Sequence, residues 1–164
     1  MLSQLHALEQ MTPDRYATDE DLQFLDTFGQ AFPDRRALYL LFQSLEEKLV
    51  EETYQLLEQK YPEVLRVKGM DFASKWKADT LRVLRYTAAA ILLNDSATFQ
   101  ERFLLWFQTI MRAFGVRRNC YITYEAMKVV IHKHLTPSQF QLVEPLLNLT
   151  QETLGGTLEE FKAP

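Results

Sequence analysis

Apolar side chains recur at three- and four-residue intervals along most of the chain, the spacing of helices with one buried face. Residues 2–11 place Leu2, Leu5 and Leu8 on one stripe, which predicts a short amphipathic helix interrupted by Pro13. Thr18 and Asp21, in a T-x-x-D arrangement, predict a capping box with acids in the first turn. Leu22, Leu25, Phe28, Gly29 and Phe32 share a face of that second helix, and Phe24 widens it. Pro33-Asp34 is expected to stop it and begin a third helix over about 34–60. Leu38, Phe42, Leu45, Leu49 and Leu56 stand there at helical spacing, and Tyr61-Pro62 ends the run.

A short connection through Gly69 leads to the stretch around which the rest is organised, Phe72 to Leu93. Its second half, with Ala88, Ala89, Ala90, Ile91, Leu92 and Leu93, is apolar on every side, so this helix is expected to be central and buried. Its first half carries Lys75, Trp76, Lys77, Asp79, Arg82 and Arg85, which suits the floor of a pocket with polar groups at the entry. Asn94-Asp95-Ser96 reads as a turn with Ser96 as N-cap. A helix over about 97–114, rich in Phe99, Phe103, Trp106, Phe107 and Phe114, ends at Gly115. Residues 116–119 (VRRN) read as a basic corner before a helix from about Ile122 to His134. Thr136-Pro137-Ser138-Gln139 is a helix start, and the last helix runs to Gly155-Gly156.

This pattern predicts an all-α fold: a globin-like core of about six helices crossing at steep angles around a pocket, plus two N-terminal arm helices. A bundle is the alternative. The chain reads as a single domain over 1–164, with the arm at 1–32, the core at 33–155 and a tail at 156–164. An apolar stripe on an arm needs cover, and a second subunit is the preferred source. Composition narrows the setting. A net charge of −4 and a pI near 5.4 argue against nucleic acid as a partner. One cysteine excludes an internal disulfide and fits a reducing compartment. No signal peptide is read at the N-terminus, and the apolar run Ala88–Leu93 is too short to insert into a membrane.

Little in the sequence points to catalysis. His132 and His134 are two apart and face different sides of a helix, so they do not form a metal clamp. The central helix has no histidine to ligate haem, and no phosphate loop or Ser-His-Asp arrangement is present. The chain is expected not to be an enzyme and to hold no metal. Arg112, Arg117, Arg118 and Lys128 are candidates to gather at one corner, as a dock for an acidic partner or as a solvated surface.

Several stretches resemble one family. DRYATDEDLQFLDTF (14–28) resembles the arm of the phycobiliproteins, the light-harvesting subunits of cyanobacterial phycobilisomes. KYPEV (60–64) is similar to the end of that family's third helix. KWKADTLRVLRY (75–86) lies over its chromophore segment, and RAFGVRRNCYITYEAMKVV (112–130) over a later helix corner. From Lys75 to about His134 the chain lies on a phycocyanin-like pattern without a gap. The resemblance implies a globin-like core, arm helices that pair subunits, and a setting in the cytoplasm, at the cytoplasmic face of the thylakoid membrane.

The departures matter more. On that resemblance, the cysteine that attaches the bilin falls at Trp76 and an arginine that pairs with a propionate falls at Ala78. The aspartate that meets the pyrrole nitrogens is kept as Asp79. The connection from Pro62 to Trp76 is also several residues shorter. An indole cannot form a thioether, so covalent bilin at this position is excluded. Trp76 is expected to fill the vacated volume; stacking on a non-covalently bound bilin is the alternative. Asp79 is expected to pair with Arg82 or Lys75 on its own helix. Cys120, followed by Tyr121, falls near the family's bilin and is a small buried hydrophobe or, less economically, a second attachment thiol. Arg15, Tyr16, Leu22, Leu25, Phe28 and Arg85 are the candidate partner interface. The partner would be a second copy, as a homodimer, or phycobilisome or photosystem components. The expected role is protein association without a cofactor, in assembly, docking or regulation, with a pigment carrier as the alternative.

Overall fold

A computed structural model describes residues 1–67 and 70–157. Gly69 and the tail from Leu158 onward lie outside the described residues. The elements in chain order are α1 (Leu2–Met11), α2 (Asp19–Lys60), a 3-10 turn (Pro62–Leu65), the short strands β1 (Arg66–Val67) and β2 (Met70–Asp71), and α3 (Ala73–Leu93). Next come α4 (Ser96–Phe99), a π turn (Gln100–Leu104) that continues into α5 (Leu105–Phe114), α6 (Arg117–His134) and α7 (Pro137–Gly155). β1 and β2 pair antiparallel, with Arg66 opposite Asp71, and tighten the link into α3. The fold is all-α.

The core follows the predicted faces. Leu38, Phe42 and Leu49 of α2 are buried in one cluster with Val83, Leu84 and Ile91 of α3 and with the inner faces of α6 and α7, while Leu57 packs in a second with Val64, Leu65 and Ala126. Each fully buried side chain of this kind contributes about 1.5–3 kcal/mol. Thr53, Thr87 and Thr150 are buried among them. Each donates its hydroxyl to the carbonyl four residues back, Leu49, Val83 and Leu146, at 2.7, 2.9 and 2.7 Å, so no donor is stranded. Gly155 is required where it stands: a Cβ there would lie 2.6 Å from the Tyr121 Cα, so α7 reaches α6 only without a side chain.

Three local expectations are corrected. Pro33 does not end a helix; α2 runs through it, so the arm and the first core helix are one rod. Pro33 and Gly29 are both exposed, so the Gly29 carbonyl that loses its donor is open to water, which lowers the cost of the proline. Helix α6 begins at Arg117 rather than near Ile122, because Cys120 and Thr123 face the core and Asn119 donates to the Val64 carbonyl at 2.9 Å. Asp95, not Ser96, is the N-cap of α4, accepting from the Thr98 amide at 3.0 Å. The two capping boxes, Thr18 with Asp21 and Thr136 with Gln139, form as expected, and Gly115 caps α5 at φ 69°.

Candidate functional site

The first two turns of α3 set Trp76, Asp79 and Thr80 along one side of a cleft. Helix α6 supplies Cys120, Thr123 and Tyr124 opposite, and α5 supplies Phe107, Ile110, Met111 and Phe114. Sequence spacing alone could not join these helices, yet Trp76, Asp79 and Cys120 do meet here. Tyr121 does not; it lines a separate groove with Leu56, Tyr61 and Ile122.

Trp76 is tied in place. Its Nε1–H donates to Thr123 Oγ1 at 3.0 Å, and its ring lies 6.0 Å from that of Tyr54 at a 53° tilt. The indole packs against both apolar clusters of the core, bridging the 3-10 turn to the main interior. What remains of the cleft is a volume of about 80 Å³.

Asp79 is occupied on its own helix, as its spacing predicts. Lys75 Nζ donates to both carboxylate oxygens, at 2.6 and 2.5 Å, and Arg82 adds a third contact at 3.2 Å. Cys120 is buried, and burial, with the nearby Asp79 charge, pushes its thiol up to about 12. The reactive species of a cysteine is the thiolate, so this sulfur is a poor nucleophile. Burial also raises the Tyr124 phenol well above its ordinary value, so its hydroxyl stays neutral.

The candidate interface residues separate into two groups. Arg85 is engaged within its own chain: its Nε and Nη2 donate to the two oxygens of Glu46 at 2.8 and 2.6 Å, clipping α3 to α2. Arg15 donates to Asp21 at 2.6 Å and shares that acid with the cap of α2, whereas Tyr16 is 98% exposed. Leu22, Leu25 and Phe28 remain only half-buried, and α1 has no buried residue.

Sequence reading missed what anchors the arm. Asp95, buried at the α3–α4 corner, accepts from the amide and hydroxyl of Ser3 at 2.9 and 3.0 Å, while the Met1 amine donates to the Asn94 carbonyl at 2.9 Å. Burial alone would raise this carboxyl, but the donors from Ser3 and Thr98 outweigh it and hold it well below the ordinary range. The turn at Asn94-Asp95-Ser96 was legible; the cap at Asp95 and its contact with Ser3 were not. Of the candidates for a basic corner, Arg112, Arg117 and Arg118 flank the turn between α5 and α6. Lys128 reaches α7 instead, donating to Gln151 at 2.7 Å and Asn148 at 3.1 Å, and Arg118 lies 3.9 Å from Glu63. His134 meets Glu52 at 2.9 Å and His132 stands edge-on to Phe140. Among the described residues no His, Cys, Asp or Glu cluster is arranged to hold a metal, and no helix is long and apolar enough to cross a membrane.

An all-helical core with a cleft floored by a long central helix, and an arm running out from it, defines a globin-like all-α class of fold. The Phycobilisome protein family profile matches residues 12–154 of the 164, and the chain belongs to that family. No curated protein matches it. The match covers the second arm segment, the central helix and the cleft, so Trp76 lies inside the matched region.

Proposed function

We propose that this chain is a phycobilisome-associated protein that carries no covalently bound bilin and acts by association with other proteins, in assembly, docking or regulation of light-harvesting components. The carrying observation is Trp76: an indole donating to Thr123 stands where the resemblance puts the attachment thiol. Cys120 is a poor substitute, since its thiol is buried and held protonated. No catalytic role is assigned. Association uses the arm, whose Leu22, Leu25 and Phe28 stripe its own core leaves partly open. The cytoplasmic face of the thylakoid membrane is the proposed place of action.

A non-covalent bilin has one observation in its favour, the cleft beside the indole with Asp79 at its lip. The free volume of about 80 Å³ is below the roughly 300–1,000 Å³ of sites for drug-sized ligands. Both Asp79 oxygens are already taken. Both observations support the reading without a bound bilin.

The test of association is a pull-down from a phycobilisome-containing lysate with the wild type and with Phe28→Asp, both shown folded by circular dichroism. Retrieval of phycobilisome subunits by the wild type, and their loss with Phe28→Asp, is expected. Equal retrieval by both would remove the arm from the docking role.

A further inference from the structure

Tyr121 stands apart from the cleft, in a groove that the arm and the indole leave unexplained. The end of α2 supplies Leu56, Lys60 and Tyr61 to it, and α6 supplies Tyr121, Ile122 and Val129. Its volume of about 350 Å³ falls within the roughly 300–1,000 Å³ of ligand sites, unlike the cleft. Val129 is 48% exposed and Tyr61 41%. A continuous apolar patch of this kind marks a binding surface.

The position of α7 selects the occupant. Its last residue, Gly155, lies against α6, where a Cβ would meet the Tyr121 Cα at 2.6 Å. Gln151 fastens the same end, donating to the Tyr121 carbonyl at 3.3 Å and to the Glu125 carboxylate at 2.9 Å. Gly156 then turns the backbone out of the helix at φ 82°. Residues 158–164, LEEFKAP, therefore begin within a few residues of one wall of the groove. In that segment Leu158 and Phe161 flank Glu159 and Glu160. The groove answers both chemistries, with apolar Leu56, Ile122 and Val129 on its walls and exposed Lys60 and Arg118 beside them. The acid that also lines it, Glu125, is already held by Gln151 and by Lys128, at 2.9 Å each. Seven residues extend to about 23 Å, and Tyr121 to Val129 is about 12 Å of helix, so the segment is long enough to run along the groove.

We propose that residues 158–164 seat in this groove of their own chain. Leu158 and Phe161 pack on Tyr121, Ile122 and Val129, and Glu159 and Glu160 face Lys60 and Arg118. A tethered segment acts at an effective concentration of about millimolar, so it outcompetes free segments of the same acidic and aromatic pattern. The seated tail closes this face to other proteins and leaves association to the arm. This closure does not depend on the arm, none of whose residues lines the groove.

Methyl NMR of the full chain tests it at Leu56, Ile122 and Val129, with Ile91 of the main core as control. Leu158→Ser/Phe161→Ser is expected to shift the groove methyls and leave Ile91 in place, which also verifies folding. A synthetic peptide of residues 157–164, at about 1 mM, is expected to return them toward their wild-type positions. Wild type, whose own tail competes, is expected to bind that peptide at least about 10-fold more weakly than the tail variant. Adding Lys60→Glu/Arg118→Glu to the tail variant is expected to weaken the peptide by at least about 5-fold. Groove methyls unmoved by the tail substitutions, equal peptide binding by wild type and tail variant, or peptide binding indifferent to the charge reversal would each overturn the proposal. Wild-type groove shifts that change with protein concentration between about 20 and 500 µM would put the tail of a second copy there and overturn it as well.

Discussion

Trp76 concentrates the physical claim at the scale of single residues. Its indole satisfies its own N–H, packs against two apolar clusters and leaves little of the cleft open. Trp76→Ala removes that bulk and leaves the Thr123 hydroxyl without its donor. It is expected to destabilise the fold by about 2–4 kcal/mol, seen as a lower urea midpoint; an unchanged midpoint would mean the ring is not structural filler. Cys120 makes a separate prediction. With its thiol pushed up to about 12 by burial, native protein at pH 8 should react with a thiol reagent at least about 100-fold more slowly than protein unfolded in urea. Equal rates would show an accessible sulfur and reopen attachment. The resemblance named Trp76, Asp79 and Cys120, which share the cleft, and spacing gave Asp79 its partners on α3; the partner of Trp76 was not legible. Thr123 is far from Trp76 in sequence, and no local pattern announces a hydrogen bond between two helices.

Helices were legible where they end in side-chain caps and obscure where packing decides. Thr18 with Asp21, Thr136 with Gln139 and Gly115 each bind their neighbours' backbone, and such signals are local. Pro33 misled because a proline lowers helix stability without always ending the helix, and here the freed carbonyl lies at an exposed site where water can meet it. The start of α6 misled because Arg117 and Arg118 look like a corner, while burial of Cys120 and Thr123 pulls the turn into the helix. The α6–α7 contact yields a prediction at this scale. Gly155→Ala would place a Cβ 2.6 Å from the Tyr121 Cα, and it is expected to lower stability by about 1–3 kcal/mol in thermal unfolding. A neutral effect would show that α7 can back away freely.

The molecule as a whole joins arm to core through one carboxylate and one continuous rod. Asp95 holds Ser3 and caps α4. Because its folded pKa is depressed, its contribution is complete above about pH 4, the unfolded range, and is lost as pH falls toward the folded value. Glu46, lowered by Arg85, and Glu52, lowered by His134, act in the same direction. The urea midpoint is therefore expected to be nearly flat from pH 7 to 5 and to drop below about pH 4. Asp95→Ala should lower the plateau by about 1–2 kcal/mol and make the acid slope shallower. An unchanged slope would mean that the latch does not form in solution.

The central claim is that this family member carries no covalent pigment because an indole has taken the place of the attachment thiol. The most direct measurement is the visible absorption spectrum of the protein purified from a bilin-producing host. A colourless protein, with absorbance only from its aromatic side chains, is the predicted result. Red or far-red bands that persist through denaturing electrophoresis, with zinc-induced fluorescence of the protein band, would contradict it.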